Sequence, residues 1–521
     1  MVKIRYYSVV VCLSLAMKRR SSIASLNRTQ SSASDVWDRA AVWVTKSNEN
    51  VVWEKGVVLA KSFSQEDERK FVIQLTDSDE DPVEISTSSL DSQNLEFVAV
   101  KRRDIALNGI EIDDMTSLLY MNEPELLECV QQRYFKKSIY TSIGPILLAI
   151  NPFERLPIYD DDILLSYHTE GVTHRLTHPP HVFHVSNRAY NNMFVDKFRP
   201  EDRENQAILV NGESGAGKTE STKHVLHFLA VISSKVASQI VVSDETNTEI
   251  ENQILASNPI LESFGNAKTT RNNNSSRFGK FIELLYASDG YIEGAVMRTY
   301  LLETMRVASQ GKSERNYHVF YQVHAGLDKY SRTEFGLSEL SNYNYTNQSG
   351  EYNRLDGESD LDNFAEMKDA FTTLGVDDDL QTEVDRVIVA ILHIGNLVFT
   401  DSSKAGDDAA EFASTSANIE TVNYICSLLA IRKDVLLTAV GRRSVIVVGN
   451  AIEKTLNSEA ALHARDSLAK FLYSHLFAWV VAKINSCLTG KLIPEQSASF
   501  IGVLDIFGFE HFEKNSFEQL W

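Results

Sequence analysis

Residues 212 to 219, Gly212-Glu213-Ser214-Gly215-Ala216-Gly217-Lys218-Thr219, set glycines, a lysine and a hydroxyl at the spacing a polyphosphate requires. Glycines let the backbone curl so that successive N–H groups point inward at a phosphate with no side chain in the way. The Lys218 ammonium then bridges the β- and γ-phosphates, and the Thr219 hydroxyl supplies a ligand to Mg²⁺. Such a loop works only between a strand and a helix. Ala207–Val210 is a short apolar run of buried-strand type, and Val225, Leu229 and Ile232 recur behind the loop at helical spacing. The start of that helix aims its dipole at the phosphates.

Two further clusters suit the same ligand. In NNNSSRFGK, residues 272 to 280, Asn272, Ser275 and Ser276 set short polar side chains beside Arg277, a combination fitted to γ-phosphate oxygens, Mg²⁺ and an attacking water. Alone, this stretch would be an ordinary Asn-rich loop. Near the end of the chain, Phe500–Leu504 is a buried-strand pattern ending in Asp505, an acid at a strand tip where it faces a metal. Gly508 follows where a backbone N–H can approach the γ-phosphate, and Glu510 offers Arg277 a partner. Together the clusters predict a nucleoside triphosphatase that senses its own γ-phosphate.

At this point the chain resembles the front of a myosin motor head. The three clusters match that family's P-loop, switch I and switch II nearly letter for letter, and NPFERLPIY (151 to 159), HPPHVF (178 to 183), NPILESFGNAKT (258 to 269), SERNYHVFYQ (313 to 322), ILHIGNL (391 to 397) and DSLAKFLY (466 to 473) fall between them in family order. The likeness covers about residues 110 to 521. Kinesins share a similar P-loop and an N-x-x-S-S-R switch, but DIFGFE and the purine-loop stretch set this chain apart from them.

The resemblance implies an α/β P-loop NTPase motor core, a mixed central sheet flanked by helices, preceded by a small SH3-like β-barrel. It implies that Asn151, Arg155 and Tyr159 flank the adenine of ATP, that Ser214, Gly217 and Lys218 hold the phosphates, and that Thr219 and Ser276 ligate Mg²⁺, which Asp505 reaches through a water. Ser275 and the Gly508 N–H would face the γ-phosphate. Glu510 would pair with Arg277 to shut the site and help orient the attacking water through a second one. F-actin is the implied partner, with light chains or calmodulin binding regions beyond this sequence, and the implied location is the cytoplasm, on the cytoskeleton. Two departures stand out. Glu154 occupies a usual lysine position in the purine loop, which implies weaker nucleotide affinity or an altered base preference, and the neutral Asn450 in an actin-facing loop counts against strong actin activation. The competing reading is a nucleotide-binding remnant or scaffold without motor output.

The elements that must position these groups are legible in outline. Residues 37–100 alternate short strand-like runs with polar turns, as in a small β-barrel, and the resemblance implies a motor domain over 101–521. Phe281–Tyr286, Asp289-Gly290 and Tyr291–Val296 read as a hairpin directly after the second cluster. Polar stretches at about 233–250, 341–360 and 401–418 read as surface loops. Residues 1–36 read as a lead-in, disordered or arising from a misplaced start: 17 to 36 are Ser-rich, and Val9–Ala16 is an apolar run like a signal-peptide core, with Met17 as the favoured natural start. At the other end Asn515 and Glu518 begin a helix that the sequence cuts, so the chain reads as a motor domain truncated at its relay helix.

Bulk properties bound the rest. With 43% hydrophobic residues among 521, the chain can bury a large core in several subdomains. A net charge of −20 argues against nucleic acid as a partner and does nothing to attract an acidic filament. The four cysteines, Cys12, Cys129, Cys426 and Cys487, are too scattered for a disulfide framework or zinc site, and no transmembrane segment is evident. His174, His178, His181 and His184 crowd together, but Pro179 and Pro180 keep them off one helical face, so packing is preferred to metal binding.

Overall fold

The computed structural model describes residues 4–12, 37, 39–45, 53–63, 68–76, 81–91, 96–97, 99–103, 111–173, 178–194, 204–239, 245–287, 290–402, 409–447, 450–489 and 499–506. Its centre is a seven-stranded sheet made of β1 (Ile4–Cys12), β2 (Tyr140–Ile143), β3 (Ile146–Ile150), β4 (Asn205–Gly212), β5 (Gly279–Tyr286), β6 (Ile292–Tyr300) and β7 (Ser499–Asp505), in the order β6-β5-β7-β4-β1-β3-β2. The β7-β4-β1-β3 run is parallel, whereas the β5 pairs and β2-β3 are antiparallel, so the sheet is mixed as expected. The hairpin after the second cluster is the β5-β6 pair, and Gly290 turns at φ +96°, a conformation glycine adopts without strain.

Burial explains the strands. Ala207, Ile208 and Val210 of β4 and Ile501 and Val503 of β7 are buried in one apolar core with Ile282 and Leu284 of β5. Four long helices matter here: α1 (Lys218–Gln239), α2 (Glu245–Gly265), α3 (Asp378–Gly395) and α4 (Ser458–Leu488). Helix α1 packs on β4 and β7, and α2 and α4 pack on β6. In α4 the buried residues Ala469, Tyr473, Phe477, Val480, Ile484 and Leu488 recur every three or four positions, the spacing of one helical face. By length and composition this is the one described helix apolar enough to cross a membrane. In this fold its Asn485 amide is paired with both backbone groups of Met297 on β6, at 2.7 and 2.8 Å.

The segment read as a barrel forms a six-stranded antiparallel sheet from Ala41–Val44, Glu54–Phe63, Glu68–Leu75, Val83–Asp91, Glu96–Phe97 and Val100–Arg102 around Trp37, Val42, Phe71 and Ile73. It is tied to the larger unit by the Trp43 indole N–H, which donates to the buried Glu125 carboxylate at 2.6 Å.

Three expectations are corrected. Ile4–Cys12, read as part of a lead-in, is a central strand, paired parallel with β4 on one side and β3 on the other. A short apolar run has the same composition whether it is a signal core or a buried parallel strand, and only its distant partners decide. The 233–250 stretch is mostly helical, since α1 runs to Gln239 and α2 starts at Glu245. The 401–418 stretch holds part of a two-stranded ladder, Phe399–Ser402 with Ala409–Phe412, and the start of a helix at Ser416. The stretch at 341–360 is irregular, yet it buries Tyr343, Tyr345 and Thr346. The helix start at Asn515 lies outside the described residues.

Candidate active site

Strand β4 delivers the chain to the glycine loop at Gly212, and Lys218 opens α1. Gly215 and Gly217 take φ +77° and +99°, the left-handed region that requires glycine if the loop is to curl. Val225, Leu229 and Ile232 are buried, so the expected strand, loop and helix are in place. Lys218 is only 6% exposed; its ammonium donates to the Gly212 and Glu213 carbonyls at 3.0 and 2.9 Å, lying across the loop.

The second cluster reaches this loop through a hydroxyl pair. Ser275 and Ser276 form a short antiparallel ladder with Asn266–Ala267, and the Ser275 hydroxyl lies 2.6 Å from that of Ser214. Arg277 donates to the Ser275 hydroxyl at 3.1 Å. Among the described residues its carboxylate partner is Glu303, gripped at 2.8 and 3.3 Å and shared with Arg306 at 2.7 Å. Burial alone would raise the Glu303 pKa, but Arg306 and Arg277 together hold it down at about 2. Asn272 differs from expectation: its polar contacts among the described residues are internal to its own turn, where its side chain accepts from the Asn274 N–H at 3.0 Å and its carbonyl from the Thr269 N–H at 2.8 Å.

Asn274, which sequence reasoning passed over, is the better connected of the two. Its amide donates to Glu262 at 3.0 Å and its carbonyl accepts from Asn266 at 3.0 Å. Glu262 of α2 also meets Lys223 of α1 at 2.9 Å, and despite burial its pKa is lowered by that ammonium and the Asn274 amide. Helix α1, helix α2 and the second cluster are thereby joined behind the phosphate loop.

The third cluster arrives on β7, whose last residue, Asp505, is 3% exposed. One carboxylate oxygen is 3.4 Å from the Thr219 hydroxyl and 3.7 Å from the Lys280 ammonium, and the other is buried without a hydrogen-bond partner among the described residues. Thr219, Ser276, Lys280 and Asp505 line one small cavity of about 10 Å³, measured for the centre of a water-sized sphere, room for a single small ion or water. Two hydroxyls and a carboxylate are hard oxygen donors of the kind Mg²⁺ selects, and the unpartnered oxygen of Asp505 fits a bound cation or its water. Lys280 could not be singled out in the sequence, because a lysine on a strand carries no local signal. Gly508 and Glu510 lie outside the described residues.

Beside the loop is a larger cavity of about 400 Å³, within the size range of small-molecule sites, lined by Asn151, Arg155, Tyr159, Ala216, Gly217, Glu220 and His224 among others. The residues expected to flank a base thus converge with the phosphate loop. Asn151 is bound to it directly, donating to the Gly215 carbonyl at 2.9 Å, and the Tyr159 hydroxyl is 2.8 Å from that of Tyr140. Glu154, the departure in the purine loop, forms a surface ion pair with Lys137 at 2.9 Å. His178, His181 and His184 line a separate cavity, and no group of three or more His, Cys, Asp or Glu among the described residues is placed to hold a metal; His174 lies outside them.

Comparison with known proteins identifies the family. Residues 112–521 match the family model for the myosin head (motor domain). The chain is 40% identical to Myosin-2 of Saccharomyces cerevisiae over 468 residues, which is 90% of this chain and 28% of that protein. It is 43% identical to the Myosin-I heavy chain of Dictyostelium discoideum over 419 residues, 80% of this chain and 17% of that one. It is 38% identical to the unconventional myosin-Vb of Mus musculus over 479 residues, 92% of this chain and 24% of the mouse protein. The chain therefore spans between 17% and 28% of the length of these relatives.

Proposed function

The chain belongs to the myosin motor family, and from that premise we propose that it binds and hydrolyses MgATP where β4, β7 and the 272–277 segment meet. The fold assignment that goes with this reading is a P-loop NTPase core preceded by an SH3-like barrel at 37–100. The observation that carries the reading is that Thr219 and Asp505, 286 residues apart, close on one ion-sized cavity together with Ser276.

In this reading the curled backbone of Gly212–Gly217 cradles the phosphates, and Lys218 leaves its loop carbonyls to bridge the β- and γ-phosphates. Thr219 and Ser276 would hold Mg²⁺, with Asp505 acting through a water, and the ion would supply positive charge against the charge that develops on the phosphates. Ser275 and the Gly508 N–H face the γ-phosphate and the attacking water, and Asn272 holds the turn that precedes Ser275. Catalysis is then mainly positioning and charge stabilisation. Asn151, Arg155 and Tyr159 flank the adenine. Glu510 closes on Arg277 when the γ-phosphate is present, linking nucleotide state to the tip of β7, the order–disorder logic of nucleotide switches.

Within a longer protein, this coupling drives F-actin binding and movement on the cytoskeleton in the cytoplasm, with light chains or calmodulin on other segments. Single-turnover hydrolysis of MgATP, with a fluorescent ATP analogue for binding and with F-actin added or omitted, tests the reading. The chain should bind and turn over ATP, while Glu510→Ala should bind it and fail to hydrolyse it. Full turnover by Glu510→Ala would remove the proposed closing step. Turnover that ignores actin would favour a nucleotide-holding scaffold without motor output.

A further inference from the structure

His224 belongs to none of the phosphate-reading clusters, yet α1 carries it into the 400 Å³ cavity on the turn after Lys218. Its ring lies on Tyr159 almost parallel, with centroids 3.6 Å apart and planes at 6°. Tyr159 cannot readily yield that position: its hydroxyl is 2.8 Å from that of Tyr140, and its ring also meets His181 and Phe183 at 5.5 and 6.1 Å. One face of Tyr159 is therefore covered by the imidazole. Among the described residues neither ring nitrogen of His224 has a hydrogen-bond partner, so both remain for a ligand.

Charge supports the same role. Burial, with His227 and Lys223 nearby, holds the His224 pKa down at about 4 against the opposing pull of Glu220, so the ring is neutral at physiological pH. A neutral imidazole offers a flat face and one donor and one acceptor on its edge. The competing polar group, the Asn151 amide, is already engaged, donating to the Gly215 carbonyl and accepting from the Phe153 N–H at 2.9 Å each.

Resting on the nucleotide reading above, we propose that His224 contacts the base: backed by Tyr159, its outer face is an aromatic platform that favours purine over pyrimidine triphosphates. A fused purine presents a larger face to that ring than a pyrimidine does and gains correspondingly more from it.

The test is a set of binding titrations of the whole chain, His224→Ala and His224→Phe with MgATP, MgCTP and magnesium tripolyphosphate, which has no base. The chain should bind ATP more tightly than CTP. His224→Ala should weaken ATP about two- to tenfold, the range of one aromatic contact, with CTP losing less and tripolyphosphate unchanged. His224→Phe should restore ATP. Unchanged ATP affinity in His224→Ala overturns the proposal, as does an equal loss for all three ligands, which would mean that His224 only supports the phosphate loop. If the unaltered chain binds tripolyphosphate but does not prefer ATP, the base contact falls while the phosphate site stands. If it binds none of the three, the nucleotide reading fails as well.

Discussion

The Ser214 and Ser275 hydroxyls lie 2.6 Å apart, and through them the phosphate loop touches the segment that carries Arg277. This contact places the two halves of the site in register before any ligand is considered. Both serines are buried, so the hydroxyls depend on each other for hydrogen bonds, and Ser275 on Arg277 as well.

Ser275→Ala removes that link and the Arg277 contact together. The expected outcome is a fall in single-turnover hydrolysis of about 100-fold, the scale for losing one group aimed at the reacting centre, with ATP affinity little altered. Rapid-quench measurement beside an equilibrium titration checks it. An unchanged rate would place Ser275 outside the chemistry.

Asp505→Asn keeps the shape of the β7 tip and removes its charge beside Thr219 and Lys280. Magnesium titrations of the ATP-loaded chain should show roughly 10- to 100-fold weaker metal dependence, as expected when a group orienting the metal's ligands is lost. Equal magnesium dependence in the two proteins would separate Asp505 from the ion.

Glu303→Gln strands Arg277 and Arg306, both buried, without their shared carboxylate. Because the Glu303 pKa falls from 4.5 to about 2 on folding, its contribution is fully present above pH 4.5 and is lost as pH drops through about 2. Denaturant unfolding at pH 7 should find the variant less stable by about 3 kcal/mol, with the gap narrowing only below pH 4.5. A gap that is absent, or that widens on acidification, would contradict the pairing.

Gly502→Ala tests packing at β7. A Cβ there meets the Phe281 ring on the neighbouring strand β5, so the ring or the strand must shift. A stability loss of about 1 to 3 kcal/mol is expected by thermal or denaturant melting, together with weaker magnesium dependence as Asp505 is displaced. A variant as stable as the parent would show that the ring relocates freely.

Much of the site was legible because its chemistry is local. The glycines, Lys218 and Thr219 are contiguous, and the strand and helix that frame them repeat buried residues at regular spacing. The pairing of Arg277 with Glu303 was not legible, because Glu303 follows β6 in a segment with no motif of its own. The place of Ile4–Cys12 was hidden for another reason. A parallel strand finds its neighbours through distant segments, here β3 and β4, and nothing within these nine mostly apolar residues names them. Lys280 and Asn274 act through the folded arrangement of three elements, so their identity alone gave no sign.

The most direct test of the account is a calorimetric titration of the chain with MgATP, using Lys218→Ala as the comparison. The account predicts saturable binding at one site in the chain and loss of that binding in the variant, because Lys218 is the buried cation of the phosphate loop. A folded chain that takes up no MgATP, or a Lys218→Ala variant that binds it as tightly as the parent, would contradict it.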